Sequence, residues 1–205
     1  MLKRHKHWEE VWSKTHSHEA TWYQESPEVS LGLIQATEID RKARILDIGG
    51  GPSTLVDGLL DRGFENLSVL DLSHSALGHA KARLGSRSEH VAWITEDVTT
   101  FHADEPIDLW HDRAVLHFLT KKRDRELYVQ TLSESLAPEG HVIIATFALD
   151  GPKRCSGLRV LRYGAREISA LLGTDFLLLE VLRETHLTPG NIEQRFTYFR
   201  LQRQR

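Results

Sequence analysis

Among its 205 residues the chain has one cysteine, Cys155. An internal disulfide is impossible and a thiolate-rich metal centre is excluded, so the lone thiol suits a reducing compartment. No apolar run approaches the roughly 18 residues that a membrane span requires, and His141 to Leu149 has the size of a buried strand. The first residues lack the apolar centre of a secretory signal, so a cytoplasmic location without membrane contact is expected. A basic surplus is missing too. The 26 Lys and Arg face 29 Asp and Glu, a net charge of -3, which argues against a dedicated nucleic-acid binder. No internal repeat, low-complexity tract or linker interrupts the chain. His5/His7 and His16/His18 are spaced for a strand or loop and lack accompanying carboxylates, so no catalytic metal is expected.

What is present reads as one globular domain over 1–205, with 40% hydrophobic and 27% charged residues. Strands are predicted near 44–48, 67–71, 90–94, 107–111 and 140–147, with helices near 53–62, 73–84, 122–136 and 164–172. Alternation of this kind implies an α/β fold with a parallel sheet covered on both faces. The tail differs: 176–185 and 193–201 are strand-like runs joined by Thr188-Pro189-Gly190-Asn191, a terminal hairpin. Residues 1–40 read as an N-terminal helical segment and 41–205 as the core. Within 1–25 a short helix precedes a loop, the basic stretch Met1 to His7 reads as a frayed solvated end, and Ser26-Pro27-Glu28 looks like a helix start.

The densest signal is Ile45-Leu46-Asp47-Ile48-Gly49-Gly50-Gly51-Pro52-Ser53-Thr54, a strand running into a glycine loop and then a helix. A second strand ends in Asp71, placed to hold a ribose. The dinucleotide pattern is incomplete, because Thr54 stands at the third glycine position. Asp47, just ahead of the loop, would repel a pyrophosphate and attract an ammonium. A cofactor with an amino-acid end therefore fits better than a phosphate-bearing one.

These residues resemble those of the class I S-adenosylmethionine-dependent methyltransferases. Leu46 to Gly51 is similar to their first motif and Leu70-Asp71-Leu72-Ser73 to the second. Glu96-Asp97-Val98 is similar to the third, Ile107 to His111 to their fourth strand, and Leu136 to Val142 to the turn into the fifth. The resemblance spans about 40 to 200. It implies a Rossmann-like, doubly wound sheet of seven strands, mostly parallel with an antiparallel C-terminal strand, and S-adenosyl-L-methionine as cofactor. It also implies a cofactor loop of Asp47, Gly49, Gly50, Gly51 and Ser53. Asp71 and Leu72 would lie at the ribose, Asp97 and Val98 at the adenine, and Trp110, His111 and Trp22 near the methionine end.

The acceptor side is written more faintly. His111, Asp112 and Arg113 fall at the carboxyl edge of the fourth strand. His111 either takes a proton from the acceptor or packs beneath the methionine moiety. Asp112 and Arg113 either serve the ligands or form a salt bridge and cap, with Asp112 and Tyr23 carried as catalytic candidates beside His111. Trp22 and Tyr23 read as a lid, whereas Trp8 and His117 read as packing residues. Arg113 is a substrate-side candidate, as are Arg154, Arg162, Tyr163 and His186 on the loops 150–163 and 186–194, which are expected to roof the acceptor site; Cys155 reads as a buried or incidental thiol. No Asn-Pro-Pro-Tyr follows strand four, which argues against methylation of adenine or glutamine amides. The N-terminal tryptophans and Asp112-Arg113-x-x-Leu116 resemble lysine methyltransferases, while the small format resembles thiol, selenol and tellurite methyltransferases. The leading expectation is methyl transfer to a small S, N or Se nucleophile. Protein lysine methylation is the alternative, and an inactive S-adenosylmethionine-binding interaction partner is a third reading.

Overall fold

A computed structural model describes residues 2–14 and 19–204. Seven strands form one sheet in the order β3-β2-β1-β4-β5-β9-β8. They are β1 (Arg44–Ile48), β2 (Asn66–Asp71), β3 (Val91–Thr95), β4 (Ile107–Arg113), β5 (Leu136–Phe147), β8 (Phe176–Leu187) and β9 (Glu193–Arg203). The first five pair in parallel, and β9 runs antiparallel to both β5 and β8. This is the doubly wound α/β arrangement expected from the alternation. An additional two-stranded ribbon, β6 (Arg154–Cys155) with β7 (Leu158–Arg159), folds from a stretch read in sequence only as a loop.

Strand alternation divides the core. On β1, β4 and β5, Ile45, Leu109, Ile143 and Ala145 face one layer with α2 (Glu28–Gln35), α3 (Leu55–Asp61) and α4 (His74–Leu84). Leu46, Ile48, Trp110, Val142 and Ile144 face the other, with α5 (Lys122–Ser135) and α6 (Ala165–Leu172). Side chains of a strand point alternately to opposite faces, so one run of apolar residues serves both layers. The helix ends follow local chemistry: Ser73 Oγ accepts from Ala76 N at 3.1 Å as the N-cap of α4, and Gly85 closes that helix at φ 59°. The N-cap of α2 is Pro27 rather than Ser26, one residue later than expected.

The N-terminal stretch departs most from expectation. Residues Leu2–Trp12 form α1 rather than a frayed end. Glu9 accepts from Ser73 Oγ at 2.7 Å and also bonds the Ser75 hydroxyl, and the His79 ring meets Trp12 O at 2.9 Å, so α1 is seated on the start of α4. No helix among the described residues is long and apolar enough to cross a membrane.

Candidate active site

Two adjoining cavities lie at the carboxyl ends of β1, β2 and β4, and both are lined by Trp22, Ile48, Gly49 and Arg113. The larger is a cleft of about 810 Å³, part of it open to solvent. The backbone turn that creates them needs particular residues. Gly49 sits at φ 65° and donates to Leu70 O at 2.6 Å, while a Cβ there would overlap the Val115 side chain. A Cβ on Gly51 would come within 2.7 Å of Asp71 Oδ2, whose carboxylate instead accepts from Gly51 N at 3.1 Å. Ala114 turns the chain after β4 at φ 75°, a left-handed conformation that brings Val115 back over the loop.

The first cavity holds Asp71, Leu72, Glu96, Asp97 and Val98. Asp71 Oδ1 also accepts from Ser73 N at 2.8 Å, and burial pushes this carboxyl up to about 6 against those stabilising donors. Asp97 Oδ1 accepts from the backbone and hydroxyl of Thr99 at 3.0 and 2.8 Å. Its Oδ2 receives Arg4 of α1 at 2.9 Å, and Arg4 reaches Asp124 at 3.2 Å.

Asp47, His111, Gly50, Ser53 and Tyr23 line the second cavity. His111 Nδ1 meets Asp47 Oδ1 at 2.7 Å and its Nε2 meets Ser30 Oγ of α2 at 2.9 Å. Both ring nitrogens thus have partners, and the ring bridges Asp47 to α2. Asp47 Oδ2 is buried with no hydrogen-bond partner among the described residues.

Several sequence candidates lie elsewhere. Trp110 faces the opposite layer from His111, fully buried, donating to Tyr128 Oη at 3.0 Å; alternation along β4 removes it from the cavity. Asp112, on that same layer, accepts from Val115 N, Leu116 N and Tyr128 Oη at 2.8, 3.0 and 2.7 Å, so it braces the turn after β4. Tyr163 packs in the core beside Ile168, and His186 is buried against Thr21 O. Arg154 and Arg162 hold loop carbonyls of Gly157 and Leu149 on the exterior. None of these six lines either cavity.

Other residues were missed. Arg4, Trp8 and Trp12 all line the first cavity, and Trp8 meets Phe118 and Trp22 edge-on at 4.9 and 6.0 Å. The signal was present: residues 4, 8 and 12 are four apart and share one helix face. Trp8 is thus a cavity wall, not remote packing, and Trp22 and Tyr23 also line the cavities. Val115, Phe118, Leu119 and Cys155 complete the far end, where burial pushes the Cys155 thiol up to about 11. Among the described residues no group of three or more His, Cys, Asp or Glu is placed to hold a metal ion. His16 and His18 lie outside the described residues.

Comparison with known proteins agrees with this geometry. Residues 46–142 match the model of a family described as a methyltransferase domain. The chain is 27% identical over 107 residues to malonyl-(acyl-carrier protein) O-methyltransferase 2 of Ilyobacter polytropus, covering 52% of this chain and 40% of that protein. It is 25% identical over 138 residues to the eEF1A lysine and N-terminal methyltransferase of Mus musculus, covering 67% and 19% respectively. A crystal structure of the N-methyltransferase NodS from Bradyrhizobium japonicum with S-adenosyl-L-homocysteine has the same fold. It superposes with a TM-score of 0.72 at 19% identity, covering 95% of this chain and 97% of that one. The chain spans about half the length, or less, of the first curated relatives it matches, 40% to 52%.

Proposed function

We propose that this chain, whose residues 46–142 match the model of a methyltransferase domain, is a class I, S-adenosylmethionine-dependent enzyme that transfers a methyl group to a small-molecule nucleophile. The observation that carries the donor assignment is Asp47 Oδ2, a buried carboxylate oxygen without a partner in a cavity beside the glycine loop. A buried unpaired acceptor of this kind calls for a cation, and an amino-acid ammonium supplies one. A pyrophosphate would bring charge of the wrong sign. Asp71 at the end of β2 suits a ribose diol, and Asp97 with Val98 suits the adenine.

The donor, when bound, supplies a methyl carbon on a sulfonium open to in-line attack. This chain's residues then have to position, dry and expose. Asp47, held by His111, fixes one end, and the carboxylates at the β2 and β3 ends fix the other. Trp8, Trp12 and Trp22 cover the cavity and exclude water. The acceptor end is walled by Phe118, Leu119 and Cys155 beneath α1. These apolar walls, set under a helix, support a small acceptor over a protein loop. The likeness to a lysine and N-terminal methyltransferase favours a protein acceptor as the second reading.

Formation of S-adenosylhomocysteine tests this with thiols, amines and fractionated cell protein as acceptors. Turnover is expected with small acceptors. Turnover confined to protein fractions overturns the small-molecule reading, and donor binding without turnover across the whole panel points to an inactive binding partner. Asp71 adds a pH signature. Its carboxyl is raised to about 6, and ribose hydroxyls donate to the ionised form. Affinity for S-adenosylhomocysteine should therefore weaken about tenfold from pH 7 to pH 5, as the free protein takes up a proton that binding must expel. Titration calorimetry checks it: an affinity flat over that range contradicts the assignment of Asp71, and Asp71→Asn should lose the slope.

A further inference from the structure

Resting on that reading, we infer that the acceptor is an acid that reacts as its anion, of the thiol, selenol or phenol type, and that Arg113 holds its negative charge. Arg113 ends β4 and borders both cavities, so it faces the glycine loop on one side and the Trp8, Phe118 and Cys155 walls on the other. It is firmly held. Nε donates to Tyr198 Oη at 2.9 Å, Nη1 donates to Trp22 O at 3.0 Å, and the guanidinium lies 4.5 Å over the Phe196 ring. Nη2 makes no hydrogen bond among the described residues, and its carboxylate neighbour, Glu184, stands 3.7 Å away. The charge is therefore fixed in place and loosely compensated.

The carboxylates of the first cavity, Asp71, Glu96 and Asp97, belong to the ends of β2 and β3, while Ala114, Val115, Phe118, Leu119 and Cys155 around Arg113 carry none. An ammonium acceptor entering this end would meet a cation whose counter-charge, Glu184, stands 3.7 Å from it on β8, and would find no carboxylate of its own among these walls, at a cost that grows as water is excluded. An anion there gains what the ammonium loses.

Among the described residues, His111, Asp112 and His117 are not free to act as the base. His111 has both nitrogens engaged and Asp112 faces the other layer. His117 is fully buried between Phe118 and Phe147, and burial pushes it down to about 3. The titratable groups packed around Arg113 are Glu184 and His186 of β8, Tyr198 of β9, Cys155 of β6 and His117 itself. Burial pushes the Cys155 thiol up, but the guanidinium acts the other way and favours its thiolate, the same influence an acceptor thiol would feel. The acceptor's proton passes to water before transfer. Its lone pair then forms the bond to the methyl carbon while the carbon–sulfur bond breaks toward sulfur, so an anion and a sulfonium become two neutral products.

The test uses the full chain and a series of thiols and thiophenols of graded acidity, alongside alkylamines. The pH dependence of kcat/KM should rise to a plateau at each acceptor's own pKa, and amines should be poorer by at least about 100-fold. Arg113→Gln should lower kcat/KM for the thiols about 100-fold and Arg113→Lys less, a loss at least about tenfold greater than any accompanying loss of S-adenosylhomocysteine affinity. A break at one pH for every acceptor, a preference for amines, or no turnover of any acidic acceptor overturns the inference while donor binding persists. Failure of the wild-type chain to bind S-adenosylhomocysteine overturns the methyltransferase reading beneath it.

Discussion

Gly49→Ala is expected to weaken S-adenosylhomocysteine binding by at least about 100-fold while the protein stays folded. Two costs coincide at this position. Alanine at φ 65° costs about 1–2 kcal/mol in backbone strain, and its methyl would overlap the Val115 side chain. The loop relieves both by moving away from Val115, which breaks the Gly49 N to Leu70 O bond and shifts the backbone facing the donor. A displacement on the order of 1 Å at such a site costs about two orders of magnitude. Calorimetry reads the affinity and circular dichroism the fold. An affinity within threefold of wild type would show that the donor does not lie against this loop.

The second large effect concerns stability. Asp112→Ala should destabilise the protein by about 3–5 kcal/mol in urea denaturation at pH 7, because two amides and the Tyr128 hydroxyl lose a buried charged acceptor. The pH dependence separates this residue from an ordinary ion-paired carboxylate. Burial raises the Asp112 carboxyl from 3.8 to about 6. The folded state thus binds more protons than the unfolded one between those values, and stability declines as pH rises through them. Measured against Asp112→Asn, which cannot titrate, wild type should lose up to about 3 kcal/mol between pH 4 and pH 7. A difference that stays flat, or grows with pH, contradicts this account.

The sheet and the donor half of the site were legible because each depends on short-range rules. Period-two apolar runs marked β1, β2, β4 and β5, and a carboxylate at a strand end before glycines is a local arrangement. Asp47, Asp71 and Asp97 accordingly line the cavities together. Trp110 and Asp112 misled for the same reason that the strand was readable. Alternation says that neighbours on β4 face opposite layers, but not which of the two layers carries the cavity. The i, i+4 spacing put Arg4 on the face of Trp8 and Trp12, but its ion pairs were hidden, since its partners Asp97 and Asp124 are 93 and 120 residues away. Arg154, Arg162, Tyr163 and His186 were placed by loop position alone, which does not distinguish a roof from its supports.

The two ends of the cavity are built from different kinds of chain. The donor end uses the tips of β1, β2 and β3, where a shifted residue disturbs the sheet itself. The far end, the acceptor end of the proposed function, is walled by the turn after β4 and the β6–β7 ribbon, pieces laid on the sheet from outside its parallel core, while α1 reaches along both ends. Inheritance can therefore treat the two ends separately. On the proposed function, exchanging the β6–β7 ribbon would reshape the wall at Cys155 and redirect such a protein to a new acceptor, while the strand tips that face the donor stay in place.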